Sequence, residues 1–204
     1  MTDKQQTPVI LALTGASGAR YALRLLQCLL DAGMPVYLMV SKAAQIVLSM
    51  ETELKVPAKS ADMARFFTEL YKARQGQLEV FSQEQWTAPI ASGSHNAMSM
   101  VVCPCTTGTL AAIANGNSDN LLERAADVML KERRQLIMVV RETPFSQIHL
   151  ENMLRLSQAG ATIMPANPGF YNNPQKLEDI IDFMVSRILD HLKINHQLQP
   201  RWGE

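Results

Sequence analysis

The sequence is poor in cysteine, aromatics and long apolar runs, and it has no surplus of either charge. Its 204 residues hold only three cysteines, Cys28, Cys103 and Cys105. Three thiols do not make a disulfide framework and fit a reducing compartment, so the expected location is cytoplasmic. Cys103-Pro104-Cys105 has no second Cys or His pair at zinc-like spacing, so no metal site is expected. No apolar run reaches the ~18 residues of a membrane helix. The opening MTDKQQTP carries an acid and no apolar stretch, so it does not read as a secretory signal. Lys+Arg and Asp+Glu both number 19, giving zero net charge. Nucleic-acid proteins usually show a basic surplus, so neither nucleic acid nor membrane is an expected partner. Zero net charge still permits local patches.

What the chain does have is apolar content, 47% of residues, enough for a sizeable core. Its length suits one domain, and no linker interrupts residues 1–204. Val9–Leu13 is a short continuous apolar run, the pattern of a strand buried on both faces. The segment Thr14-Gly-Ala-Ser-Gly18 follows as a sharp turn. Ala22, Leu25, Leu26, Leu29 and Leu30 then form one stripe of a helix over Ala19–Asp31. Pro35–Val40 reads as a second strand, completing a βαβ unit with a right-handed crossover. Further strands are predicted at Ser99–Cys103, stopped by Pro104, at Leu136–Val140 and at Ala161–Met164. Helices are predicted at Lys42–Met50, Ala61–Tyr71, Leu110–Ala114, Leu121–Arg133, Ile148–Gln158 and Leu177–Ile194. Residues 52–90 are otherwise hard to read. The alternation implies a three-layer α/β fold with a mostly parallel sheet, flavodoxin-like or Rossmann-like. The twelve methionines fall mostly at apolar positions and read as core.

In such sheets ligands bind outside the carboxyl ends of the strands. Thr14–Gly18, Ser41, Cys105–Thr109 and Arg141–Pro144 all fall at predicted strand ends. Gly15-Ala16-Ser17-Gly18 is either a phosphate-approaching loop at a helix start or simply a tight turn. It is neither G-x-G-x-x-G nor a P-loop. Thr106-Thr107-Gly108-Thr109 repeats the design, although one such loop is often only a helix cap. Arg141 and Glu142 follow a wholly apolar strand, as a site pair or a surface ion pair. Arg124 and Lys131 are two helical turns apart, and Lys131–Arg134 has the look of a solvated helix end. Tyr171 is a loop hydroxyl or half-buried packing. Arg187 lies in an apolar helix, where arginines often snorkel. His95 is a lone loop histidine, and no nucleophile–histidine–acid set is spaced for catalysis.

The stretches LTGASGARYALRLL, SKAA, CPCTTGTLAAIANG and NLLERAADVMLKERRQLIMVVRETPFSQIHLENMLRLSQAGATIMPANPGFYNNPQKLEDIIDFMVSRILD, with a closing Arg201-Trp202, resemble the flavin prenyltransferase (UbiX-type) family. The resemblance runs from about residue 8 to 202 and thins over 52–90. ERAADV, LKERR, RETP and PGFY in this order make it specific. It implies a flavodoxin-like domain that assembles into a dodecamer with sites between subunits. It implies transfer of a dimethylallyl group from dimethylallyl phosphate to N5 and C6 of reduced FMN, without a metal. The product, prenylated FMN, would serve a partner UbiD-type decarboxylase.

The resemblance also implies roles. Gly15, Ala16, Ser17, Ser41, Thr106, Thr107, Gly108, Thr109 and Arg141 match flavin-contacting positions. Tyr171 and Arg187 match residues that hold dimethylallyl phosphate, with Arg124, Lys131 and Glu142 around it. Ser17, Glu51, Lys131, Glu142 and Trp202 match positions implicated in catalysis, Trp202 as an aromatic near the prenyl group. A C-terminal tail over about 195–204 is expected to pack at the active site. Two competing readings are a flavin-dependent decarboxylase of cysteine-type substrates, which needs a catalytic histidine, and a flavin-binding protein without catalysis.

Overall fold

A computed structural model describes residues 7–200. The first apolar run forms β1 (Val9–Leu13), and the glycine turn leads into α1 (Ala19–Asp31). Then come β2 (Val36–Val40), α2 (Lys42–Glu51), α3 (Ser60–Tyr71) and β3 (Leu78–Phe81). The second half holds β4 (Ser99–Cys105), α4 (Thr107–Ala114), α5 (Leu121–Lys131), β5 (Gln135–Val140), α6 (Gln147–Gln158), β6 (Thr162–Ile163) and α7 (Leu177–His191).

The six strands form one sheet in the order β3-β2-β1-β4-β5-β6, and every pairing is parallel. The expected "mostly parallel" sheet is wholly parallel among the described residues. This is the doubly wound order, whose direction of growth switches between β1 and β4. Alternate strand residues face two core layers. Val9, Leu11 and Leu13 pack with α1, α3 and α7, while Ile10 and Ala12 pack with α4, α5 and α6. Double-sided burial explains why the central strands read as continuous apolar runs. Arg24 forks onto Asp182 at 2.6 and 3.1 Å, tying α1 to α7. Met39, Met63, Met100, Met129 and Met138 fill the core, but Met50 and Met98 are exposed.

Several element ends differ from the sequence reading. β3 was not anticipated, because only Leu78 and Phe81 of its four residues are buried. β4 does not stop before Pro104 but runs through it to Cys105. Its register shifts between Val102 and Cys105, so proline's missing N–H falls where the ladder is already broken. α4 begins at Thr107 because Thr106 caps it. α5 and α7 end earlier than expected. Arg133 and Lys193 take positive φ values of 54° and 58°, and the chain reverses there. The Arg134 and Ile194 amides donate back to Met129 and Leu189, which closes each helix in a left-handed cap.

Candidate active site at the carboxyl edge of the sheet

The turns after β1, β2, β4 and β5 meet at one edge. Gly15 needs to be glycine because a Cβ there would lie 2.5 Å from Ala43 Cβ, at the start of α2. Gly18 takes φ 111°, which lets the chain turn from strand to helix. Between them, Ala16 is buried and Ser17 exposed. The Ser41 amide donates to Leu13 O at 3.0 Å, and its hydroxyl accepts from Ala44 N at 3.0 Å as the cap of α2. Thr106 caps α4 by accepting from Thr109 N at 3.1 Å, and it donates to Thr109 Oγ1 at 2.9 Å. The Arg141 amide donates to Cys105 O at 3.2 Å, so its side chain starts beside the Thr106 loop.

Two features of this edge were not legible in sequence. Glu51, the last residue of α2, accepts from Gly18 N at 3.0 and 3.1 Å and from Ala19 N at 2.9 Å. A carboxylate thus already occupies the positive end of α1, where the sequence suggested room for a phosphate. The start of α4 is open instead. Among the described residues, the amides of Thr107 and Gly108 donate to no protein acceptor. The second feature is Thr14, only 3% exposed. Its hydroxyl donates to Pro104 O at 2.7 Å and accepts from Thr106 N at 2.8 Å. A threonine just before a glycine turn was the only sequence hint of it.

Arg141 Nε is buried without a hydrogen-bond partner among the described residues. A buried guanidinium donor seldom stays unpaired, so this atom is free to meet an acceptor from outside the described residues. With the open α4 amides and the small residues of the Thr106 loop, it fits an anionic group with planar acceptors, such as a flavin mononucleotide. Glu142 is half-buried and accepts from Thr143 N at 3.0 Å.

The remaining candidates do not converge here within one chain. Arg124 donates to Ala91 O at 3.0 Å and to Asp127 at 2.7 Å. Lys131 ends α5 and pairs with Glu132 at 2.5 Å, which holds the Glu132 carboxyl below its usual range. It lies at the opposite edge, where the strands start, because the next turn leads into β5. Arg187 pairs with Asp190 at 2.9 Å in the last turns of α7. That end is also near the strand starts, since Gln135 at the head of β5 donates to His191 O. Tyr171 is 80% exposed on the loop between β6 and α7. The tail folds back beside it, with Asn172 bonded to Gln199 and Gln199 bonded to Asp179 O. Trp202 lies outside the described residues.

His95 packs edge-on against Tyr37 at 5.3 Å, and its Nδ1 accepts from Ala97 N. Burial and nearby Arg134 push its pKa down. It stands before the start of β4, away from the carboxyl-edge crevice, so it does not serve that crevice in its own chain. The three cysteines are free, and burial pushes the Cys28 thiol up to about 11. Among the described residues, no group of three or more His, Cys, Asp or Glu side chains is placed to hold a metal ion. None of their helices is long and apolar enough to cross a membrane.

A crevice at the switch point of a doubly wound sheet is where nucleotide-binding α/β proteins, flavoproteins among them, hold their ligands, and the flavoprotein family model matches residues 1–189. The chain is 57% identical over 196 residues to the flavin prenyltransferase UbiX of Pseudomonas aeruginosa, covering 96% of this chain and 94% of that one. It therefore belongs to the flavin prenyltransferase family. A crystal structure of AnUbiX (PadA1) with FMN and dimethylallyl pyrophosphate superposes with a TM-score of 0.86 at 38% identity, covering 98% of each chain. A dodecameric FMN-dependent UbiX-like decarboxylase from Escherichia coli O157:H7 gives 0.84 at 38% identity, covering 97% of this chain and all of that one.

Proposed function

We propose that this enzyme joins the dimethylallyl group of dimethylallyl phosphate to N5 and C6 of reduced FMN, as one single-domain chain acting within an oligomer. The unpartnered Arg141 Nε beside the Thr106 loop carries the flavin half of this reading. In it, Gly15, Ala16, Ser17, Ser41, Thr106, Thr107, Gly108, Thr109 and Arg141 hold the flavin. Bound reduced FMN supplies the electron-rich nitrogen and ring carbon that receive the five-carbon unit.

Breaking the allylic C–O bond leaves its electron pair on the departing phosphate. Arg124, Lys131, Arg187 and the Tyr171 hydroxyl stabilise that growing charge, and Glu142 orders the cations around it. Arginine suits the task because its fork binds two oxygens at once. Ser17 and Glu51 border the flavin turn, where Glu51 moves a proton and Ser17 orients the flavin. Trp202 is assigned the stabilisation of the allyl cation, since cation–π attraction to an indole is worth roughly 0.5–2 kcal/mol.

The scatter of Arg124, Lys131 and Arg187 supports a site shared between copies. Ile148, Leu150 and Leu154 of α6, all more than half exposed, give it apolar surface to assemble through. A dodecamer like the Escherichia coli relative suits this arrangement. The product then passes to a UbiD-type decarboxylase in the cytoplasm.

The test is anaerobic incubation with reduced FMN and dimethylallyl phosphate, followed by mass spectrometry of the flavin. The expected result is a mass gain of one prenyl unit. An unchanged flavin mass would sink the proposal, and a 22.7 kDa monomer in light scattering would sink the shared site.

A further inference from the structure

Beyond β1, the two flavin-facing turns are joined through one side chain. The β1–β4 ladder runs from Val9↔Ser99 to Ala12↔Val102 and then meets the irregularity that includes Pro104. Pro104 has no N–H to continue it. Past that point Thr14 takes over. Its amide and its hydroxyl both donate to Pro104 O, at 3.2 and 2.7 Å, and its hydroxyl accepts from Thr106 N at 2.8 Å. The hydroxyl thus uses its donor and one acceptor lone pair, in a buried position. It links residue 14, next to Gly15, with residue 106, the cap of α4.

We infer that Thr14 is a positioning residue for the flavin: its hydroxyl sets the spacing between the Gly15–Gly18 turn and the Thr106–Thr109 loop. It touches neither flavin nor allyl phosphate and acts through the Thr106 amide. The inference rests on the flavin reading above. If the hydroxyl were removed, the Thr106 amide would lose its acceptor, and α4's cap and open amides would be free to shift relative to Ser17.

The test compares Thr14→Val, which keeps the shape and removes both hydrogen bonds, with Thr14→Ser, which keeps the hydroxyl. FMN affinity, the visible absorption and circular dichroism of bound FMN, and kcat and KM for dimethylallyl phosphate are measured in the assembled protein. Thr14→Val should weaken FMN binding about tenfold, the range of one buried hydrogen bond. It should change the bound-flavin spectrum and lower kcat more than it raises KM. Thr14→Ser should stay within about threefold of the parent, as expected when the hydroxyl is what matters. A merely structural threonine would lower the melting temperature and leave the spectrum of bound flavin alone. Parent-like FMN affinity and spectrum in Thr14→Val would overturn the inference, as would a Thr14→Ser as impaired as Thr14→Val. If Thr14→Val does not fold, Thr14→Ala against Thr14→Ser reads the same contrast. Failure of the parent to bind FMN would fault the flavin reading itself, and is seen before any variant is made.

Discussion

The carboxyl edge of the sheet and the edge where the strands start are built on different terms. At the carboxyl edge, four turns meet because their parent strands are adjacent, and short hydrogen bonds lock them together. Thr14 to Pro104 and Thr106, Ser41 to Leu13, and Arg141 to Cys105 are all of this kind. At the other edge, Lys131 and Arg187 lie on opposite faces of the sheet, each satisfied by a carboxylate of its own helix region. The first region is finished by folding. The second offers cations that, on the proposed function, meet a flavin only when another copy brings them to it. Exposed ion pairs of this kind are worth at most ~1 kcal/mol, so a phosphate can displace their carboxylates.

The sharpest break would come at Arg187. Arg187→Ala should lower turnover by ~10²–10³-fold, the usual cost of one transition-state donor, and leave FMN binding unchanged. Single-turnover kinetics beside a flavin fluorescence titration check this. Loss of FMN in that variant would mean the two edges do not divide the work as described.

Arg141 should behave in the opposite way. Arg141→Met should weaken FMN binding by ~10–100-fold, since a hydrogen bond to a charged group is worth about 1.5–3 kcal/mol. Its melting temperature without flavin should barely move, because Nε has no partner to lose among the described residues. A large fall in thermal stability would show that Arg141 is a structural residue.

The smallest effect concerns His95 at the strand-start edge. Its folded pKa is lowered, first by burial and then by Arg134. The unfolded chain therefore binds the proton more readily. The His95 share of stability is present above an unfolded pKa of about 6.5 and is lost as pH falls through the lower folded value. His95→Gln should flatten the loss of melting temperature between about pH 6.5 and 5, where an unperturbed histidine takes up its proton. A steeper slope in the variant would contradict this sign.

Much of the fold was legible because both faces of the central strands are buried. Val9–Leu13, Val36–Val40 and Leu136–Val140 are uninterrupted apolar runs. β3 escaped because it is an edge strand, with Glu79 exposed and Val80 half-covered. The end of β4 escaped because proline normally stops a strand, and only the bulge lets Pro104 stay. The strand-end turns were legible as Gly- and Thr-rich breaks after apolar runs. Their hydrogen bonds were not, because Thr14 and Thr106 are 92 residues apart.

The sequence by itself determined the α/β class, the strand-end positions of the Gly15, Ser41, Thr106 and Arg141 turns and, through motifs such as RETP and PGFY, the family. Those depend on local period and residue identity, which a chain carries in order. Only the tertiary structure decided that Glu51 holds the start of α1, that Arg141 Nε is left unpaired, and that Thr14 spans the switch point. The zero net charge of the sequence resolves into cations placed at two edges. Hydrogen bonds and burial depend on which distant segments the sheet order makes neighbours, and that order is a property of the packed chain.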